Sequence, residues 1–314
     1  MAIQKLQPKL TKVRLRLDGS RAIISLFILT VLASSALYLK TELAGFWQKF
    51  TSPMVISTLP EEERFDPSPV LEEIEGLTKE LRGVYGLYVY RFEDGNGYGW
   101  HQKEVFPAAS LMKLPVLLTL YQAAERGELS LDAEYSLIQQ DKVGGAGILQ
   151  SKPVGTVYTY RQLAEYMGQC SDNTAYNVLV RIFGREKIQA TIDDVGMRKT
   201  SFRENETTPE DIGLFFHQLY QGGVVTFEHR QEILKFLTDT VFEDRIPAGV
   251  PEGVRVAHKI GTEIGSFSDA GIVFANPPAG GFVLVILSKA AREPEALEIL
   301  PQITQSVWEF EADN

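Results

Sequence analysis

Three short motifs follow one another along this chain: Ser110-Leu111-Met112-Lys113, Ser171-Asp172-Asn173 and Lys259-Ile260-Gly261. Ser110 and Lys113 are three residues apart, so on a helix they share a face and the amine can reach the hydroxyl. A serine hydroxyl is a weak nucleophile at its free pKa and needs an adjacent base. Lysine serves as that base only where burial or a second cation keeps its amine partly neutral. Lys259 can be that second cation, and it can also hold a substrate carboxylate. Ser171 can relay a proton to a leaving nitrogen, while the Asn173 amide can bind a substrate amide. Taken singly, the same residues also suit a helix N-cap, a turn and a surface strand. Their order is what points to acyl transfer.

The elements that must position them follow from periodicity. Leu71, Ile74, Leu77 and Leu81 mark a helix closed by Gly83. Val84 to Phe92 and Tyr98 to His101 flank Glu93-Asp94-Gly95-Asn96-Gly97 and read as a hairpin. Pro107 introduces a Ser110 helix running to Gly127, apolar nearly all round as a helix at a domain centre is, with Pro115 in its second turn. Helical patterns dominate from Tyr160 to Thr240. Strands return at Val254–Ile260, Phe267–Ala275 and Gly281–Ser288, and Pro294 opens a last helix to Phe310. The expected fold class is therefore α/β (α+β): a five-stranded antiparallel sheet flanked by helices, with an all-helical lobe inserted at about 110–240.

The motif set resembles that of the class A β-lactamase-like serine hydrolases, a family that shares its fold with D,D-peptidases. Further stretches carry the likeness: Thr159–Met167 running into Ser171–Asn177, Gly147–Gln150, Thr207–Pro209 and Ser268–Val273. It covers residues 71–314. The resemblance implies that Ser110 is the nucleophile and Lys113 its base, with Ser171 and Lys259 completing the catalytic set. Asn173, Gly261 and Thr262 are then substrate-binding positions, and the backbone N–H groups of Ser110 and Thr262 form an oxyanion hole. The implied partner is a β-lactam or a peptidoglycan peptide, with no cofactor.

Two departures from the family pattern bear on the chemistry. The family's deacylating glutamate lies in an E-x-x-L-N loop, and Met197–Glu206 contains no such motif. Glu204 and Glu206 remain as candidate bases, although acidic residues on a short loop are ordinarily just solvated. Gly196–Phe202 looks more like the matching turn of D-alanyl-D-alanine carboxypeptidases. Ile260 also stands where the family has a threonine or serine, leaving Thr262 to supply a hydroxyl from a neighbouring position. Acylation is thus fully equipped, whereas deacylation has no evident base. Three readings follow: a hydrolase that turns over slowly, a D,D-peptidase, or a penicillin- or peptidoglycan-binding protein without turnover.

The whole chain has 314 residues and a net charge of −10. Six Lys and Arg residues against Asp18 lie within residues 1–21, so the remainder is more acidic still and disfavours nucleic acid. The lone cysteine, Cys170, allows no internal disulfide. Placed beside Ser171, it reads as small buried packing. Four histidines show no ligand spacing, so no metal site is expected, unlike in metallo-β-lactamases. Residues 22–39 are uncharged and as a helix span about 27 Å, enough for a bilayer. With the basic residues 1–21 kept in the cytoplasm, the expected arrangement is a single-pass anchor in the bacterial cytoplasmic membrane. A linker at 40–70 then carries an exported domain. A signal peptide cleaved after Ser34-Ser35-Ala36 is the competing reading.

Overall fold

The aromatic, β-branched run after Gly83 forms strand β1 (Val84–Arg91), which turns back into β2 (Gly97–Trp100). The computed structural model describes residues 26–35, 40, 65–238, 240–275 and 280–313. Near the C-terminus, three more long strands follow: β3 (Arg255–Glu263), β4 (Ser266–Phe274) and β5 (Phe282–Lys289). Neighbours pair antiparallel in the order β2-β1-β5-β4-β3. This is the expected five-stranded sheet, closed by pairing the N-terminal hairpin with the C-terminal strands.

Both faces of the sheet are covered. The described helices are α1 (Ser68–Thr78), α2 (Lys113–Glu125), α3 (Tyr160–Gln169), α4 (Asn173–Phe183), α5 (Arg185–Val195), α6 (Pro209–Gln221), α7 (Phe227–Thr238) and α8 (Glu293–Asp313). Val283, Val285 and Leu287 face the core shared with the inserted lobe, whereas Phe282, Leu284 and Ile286 pack with Val70, Ile74, Ile299 and Ile303 of α1 and α8. Side chains alternate across a strand, so a strand buried on both faces reads as an unbroken apolar run. Nearly all of α2 is buried from Lys113 to Ala123. Its core residues are worth about 2–5 kcal/mol each on truncation to alanine, which ties the catalytic segment firmly to the lobe.

Several boundaries differ from the sequence reading, each for a local reason. The helix expected from Leu71 begins at Ser68, inside the expected linker, and buries Val70, Ile74 and Thr78, with Leu71, Leu77 and Leu81 half-buried against the same core. Pro69 is tolerated because first-turn N–H groups lack intrahelical acceptors. Phe65 already packs against Tyr98 and Phe310, so the catalytic unit includes it. Ser110 lies in a 3₁₀ turn, Ala109–Met112, and the α-helix starts only at Lys113. Pro115 is consequently the third residue of α2, in its first turn, where no hydrogen bond is lost and no kink is forced.

The chain divides into two units, Met1–Arg64 and Phe65–Asn314. In the first, residues 26–35 are helical and exposed, including Leu26, Phe27, Leu29 and Leu32. Among the described residues no helix is long and apolar enough to cross a membrane. The rest of the 22–39 run, and the 41–64 part of the expected linker, lie outside the described residues.

One carboxylate fixes the entry to α4. Asp172 is fully buried. Its Oδ1 accepts from Ala175 N at 2.9 Å as the helix N-cap, while Oδ2 accepts from Ile148 N at 2.7 Å and Leu149 N at 2.8 Å. The loop can come this close because residue 147 is glycine, with φ at +95° and no side chain: a Cβ there would stand 2.1 Å from Asp172 Oδ2. Gly147→Ala should therefore cost about 2–4 kcal/mol, combining a left-handed backbone with a buried clash. Denaturant unfolding measures this, and a change no larger than that of a surface substitution would remove the clamp from the account.

Candidate active site

Two serines, two lysines and an asparagine converge where the edge strand β3 meets the inserted lobe. Lys113 Nζ donates to Ser110 Oγ at 2.7 Å and to Asn173 Oδ1 at 2.9 Å. Lys259 Nζ donates to Ser171 Oγ at 2.9 Å and to Ile260 O at 3.1 Å. Asn173 is held in turn, its Nδ2 donating to Gly144 O at 2.9 Å and its backbone N to Ala146 O at 3.0 Å. The residues singled out from sequence spacing are thus brought together by three elements far apart in the chain.

The local backbone is unusual at both serines. Ala109, just before Ser110, has φ at +46°, and Ser171 itself has φ at +54°. Non-glycine residues seldom adopt the left-handed region, and where they do the surrounding packing holds them there. On one side that packing is the buried α2. On the other it is the Asp172 clamp, one residue after Ser171.

Electrostatics follow from burial. Desolvation pulls the Lys113 amine down to about 8, against the opposing pull of Asp172 and Cys170. Lys259, more deeply buried, is driven well below its usual range by desolvation and then by the Lys113 charge. The expected coupling therefore runs mainly the other way: burial alone makes Lys113 a usable base, and its charge helps to depress Lys259. Burial likewise pushes the Cys170 thiol up, and its Sγ donates to Tyr166 O at 3.2 Å, as packing rather than reactivity requires. Behind Lys259, buried His258 pairs through Nδ1 with Asp269 at 2.9 Å. Burial lowers its pKa, but Asp269 and Glu243 together outweigh that and raise it to about 9.

Gly261 brings β3 against the Ser110 turn. A Cβ at that position would stand 3.0 Å from Ala108 O and 3.3 Å from Leu111 Cγ. Arg245, which sequence reading passed over, completes this edge. Its buried guanidinium donates through Nη1 to Gly261 O at 3.1 Å and Ser268 O at 2.5 Å, and through Nη2 to Thr262 Oγ1 at 2.6 Å. The hydroxyl absent at Ile260 is thus available next door, oriented by a cation. No sequence signal marked Arg245, because its partners are mostly backbone carbonyls.

The two candidate glutamates are not brought in. Residues Ser201 to Glu206 fold into a tight turn closed by Ser201 N to Glu206 O at 2.9 Å and the reciprocal bond at 3.2 Å. Glu206 and Thr207 pair with Phe106 and Pro107, and Asn205 O accepts from Ala108 N at 2.8 Å. Both carboxylates are exposed, Glu204 lying 3.6 Å from Arg203. Among the described residues neither bonds to Ser110 or Lys113. A turn this short uses its backbone to brace the Ser110 segment, and both of its glutamate side chains are exposed.

Known proteins share this architecture. The chain is similar to beta-lactamase VEB-1 of Pseudomonas aeruginosa, with 21% identity over 268 residues, covering 76% of this chain and 89% of that protein. It is also similar to beta-lactamase L2 of Stenotrophomonas maltophilia, 27% identical over 225 residues, 67% of this chain and 74% of that one. The structure of PBP-A superposes with a TM-score of 0.74 at 25% identity, covering 79% of this chain and 97% of that one. A mutant of PBP-A is known as an acyl-enzyme complex with penicillin G. A beta-lactamase from Sphaerobacter thermophilus gives a TM-score of 0.72 at 25% identity, with 80% and 99% covered. The model of the beta-lactamase enzyme family matches residues 69–310. With the Ser110–Lys113 and Ser171–Lys259 pairs inside that span, the chain belongs to the beta-lactamase enzyme family as a class A-like serine hydrolase.

Proposed function

We propose that this protein is an exported, membrane-anchored serine hydrolase that forms an acyl-enzyme with β-lactams or related amides and releases it slowly. The observation that carries this reading is the Lys113 amine 2.7 Å from Ser110 Oγ, with no carboxylate bonded to either among the described residues. In the forward half-reaction Lys113 takes the Ser110 proton and Oγ bonds to the carbonyl carbon. The backbone N–H groups of Ser110 and Thr262 receive the oxyanion. Ser171 then gives its proton to the leaving nitrogen as the carbon–nitrogen bond breaks, and the neighbouring amines restore it. A substrate carboxylate lies against Lys259, Thr262 and Arg245, and its charge draws Lys259 back to the cationic form. Asn173 holds the substrate amide.

Deacylation lacks a positioned general base, which typically lowers a rate about 10²–10⁴-fold. A labelled penicillin should therefore mark the protein at Ser110 in a long-lived adduct, with a burst but little turnover. Ser110→Ala should abolish the label, while Glu204→Gln and Glu206→Gln should leave its lifetime unaltered. Label that persists on the alanine variant would sink the proposal. A much longer lifetime in either glutamine variant would make that glutamate the base.

Acylation should also depend on pH in one direction. With Lys113 at about 8, only about a hundredth of the amine is neutral near pH 6. The acylation rate should rise about tenfold per pH unit below about pH 8 and level off above it. Stopped-flow acylation by penicillin G reads this, and a flat profile across that range would remove Lys113 as the base.

A second reading, D,D-peptidase activity on peptidoglycan stem peptides, is favoured by the tight turn at 201–206, where among the described residues no carboxylate reaches Ser110. Release of D-alanine from a pentapeptide supports it, and catalytic turnover of nitrocefin supports the β-lactamase reading. The anchor rests on the uncharged run at 22–39 behind six basic residues. It predicts full-length protein in the membrane fraction, whereas a mature N-terminus just after Ala36 would indicate a cleaved signal peptide instead.

A further inference from the structure

Asn173 and Tyr176 are three residues apart on α4, so they share a face, and both reach Lys113. Asn173 takes one hydrogen bond from the amine. Tyr176 lays its ring 5.3 Å from Nζ, a cation–π contact. The ring of Phe202, from the tight turn at 201–206, stands 6.4 Å from that of Tyr176. Phe202 is itself buried and tied down, its backbone N donating to Gln189 Oε1 at 2.9 Å. On its outer side lies an open hollow of about 660 Å³ bordered by Arg185, Gln189 and Arg203. Two aromatic rings thus separate this water-accessible hollow from the Lys113 amine.

We propose that Tyr176, backed by Phe202, is a water-excluding plug that sets the lifetime of the acyl-enzyme. The inference rests on the acyl-enzyme reading above and supplies its physical cause. Hydrolysis of the Ser110 ester needs a water whose oxygen bonds to the ester carbon as the carbon–Oγ bond breaks. The water proton must pass to a base, of which the Lys113 amine is the one at hand among the described residues, and Lys113 then returns a proton to Ser110 Oγ. On the flank facing the 201–206 turn, that water has to stand beside Lys113, where the structure places aromatic carbon. The phenol is no substitute base, because burial raises the Tyr176 pKa and keeps it protonated. Acylation meets this flank only through Lys113, since Ser110, Ser171 and Lys259 all lie toward β3. Tyr176 is therefore a positioning residue that acts on one half of the reaction.

The test separates the two halves in the full-length protein. Penicillin G acylation is followed by stopped flow, and loss of the Ser110 adduct by intact-protein mass spectrometry. Tyr176→Ala should shorten the adduct lifetime about tenfold, less than a dedicated carboxylate base would, because it admits water to Lys113 without adding a further base. Its acylation rate should change far less when read well above pH 8, where the Lys113 amine is neutral with or without the ring. Tyr176→Phe, which keeps the ring, should restore the long lifetime. Phe202→Ala removes the outer ring and should shorten the lifetime in the same direction, providing a second route if Tyr176→Ala does not fold. An adduct lifetime that neither alanine variant shortens overturns the plug, as does equal shortening in Tyr176→Phe, which would assign the effect to the hydroxyl. Absence of any adduct on the unaltered protein is a different result: it overturns the acyl-enzyme reading and this inference with it.

Discussion

Two lysine amines are buried within hydrogen-bonding distance of two serine hydroxyls, and the rest of the site exists to make that arrangement tolerable. A buried amine loses hydration, so it either finds polar partners or gives up its proton. Here both occur. Lys113 is shared between Ser110 and Asn173, Lys259 between Ser171 and a backbone carbonyl, and both bind protons less tightly than they would in water. The same desolvation that costs stability turns an ordinary ammonium into a base able to accept a proton from a serine near neutral pH. A fold that holds such a pair must be rigid around it, and the buried α2 and the sheet behind β3 provide that rigidity.

Rigidity at the second serine comes from a residue with no chemical part in the reaction. Asp172 caps α4 and binds two further N–H groups of the loop before it, so Ser171 and Asn173 are held on either side of one buried carboxylate. The glycine at 147 is what lets the loop approach. Catalytic residues that sit on a loop need such anchoring, because a displacement of about 1 Å at the reacting atoms can cost a factor of about a hundred in rate.

The tight turn at 201–206 does more than leave its two glutamates exposed. Its backbone bonds to the segment that carries Ser110, and its one large apolar side chain, Phe202, turns inward toward Tyr176. Where a longer loop would have room to hold a carboxylate and an ordered water, this one contributes an aromatic ring. The exposed glutamates and the inward ring are two outcomes of one tight turn.

Much of this was legible in the sequence because it rests on short-range rules. The S-x-x-K spacing, the period-2 and period-3.6 patterns and the Gly-rich hairpin placed the five strands, the inserted helices and all five convergent site residues. Boundaries slipped by a few residues where capping decided them, as at Ser68 and at the 3₁₀ turn before Lys113. What the sequence could not show depends on partners distant in the chain. Arg245 finds backbone carbonyls on β3 and β4, Tyr176 meets Phe202 only because the turn at 201–206 folds inward, and burial rather than a neighbouring charge lowers Lys113. Residue types and their order determined which chemistry was available. Desolvation and long-range packing, which exist only once the chain is folded, decided how each group is tuned.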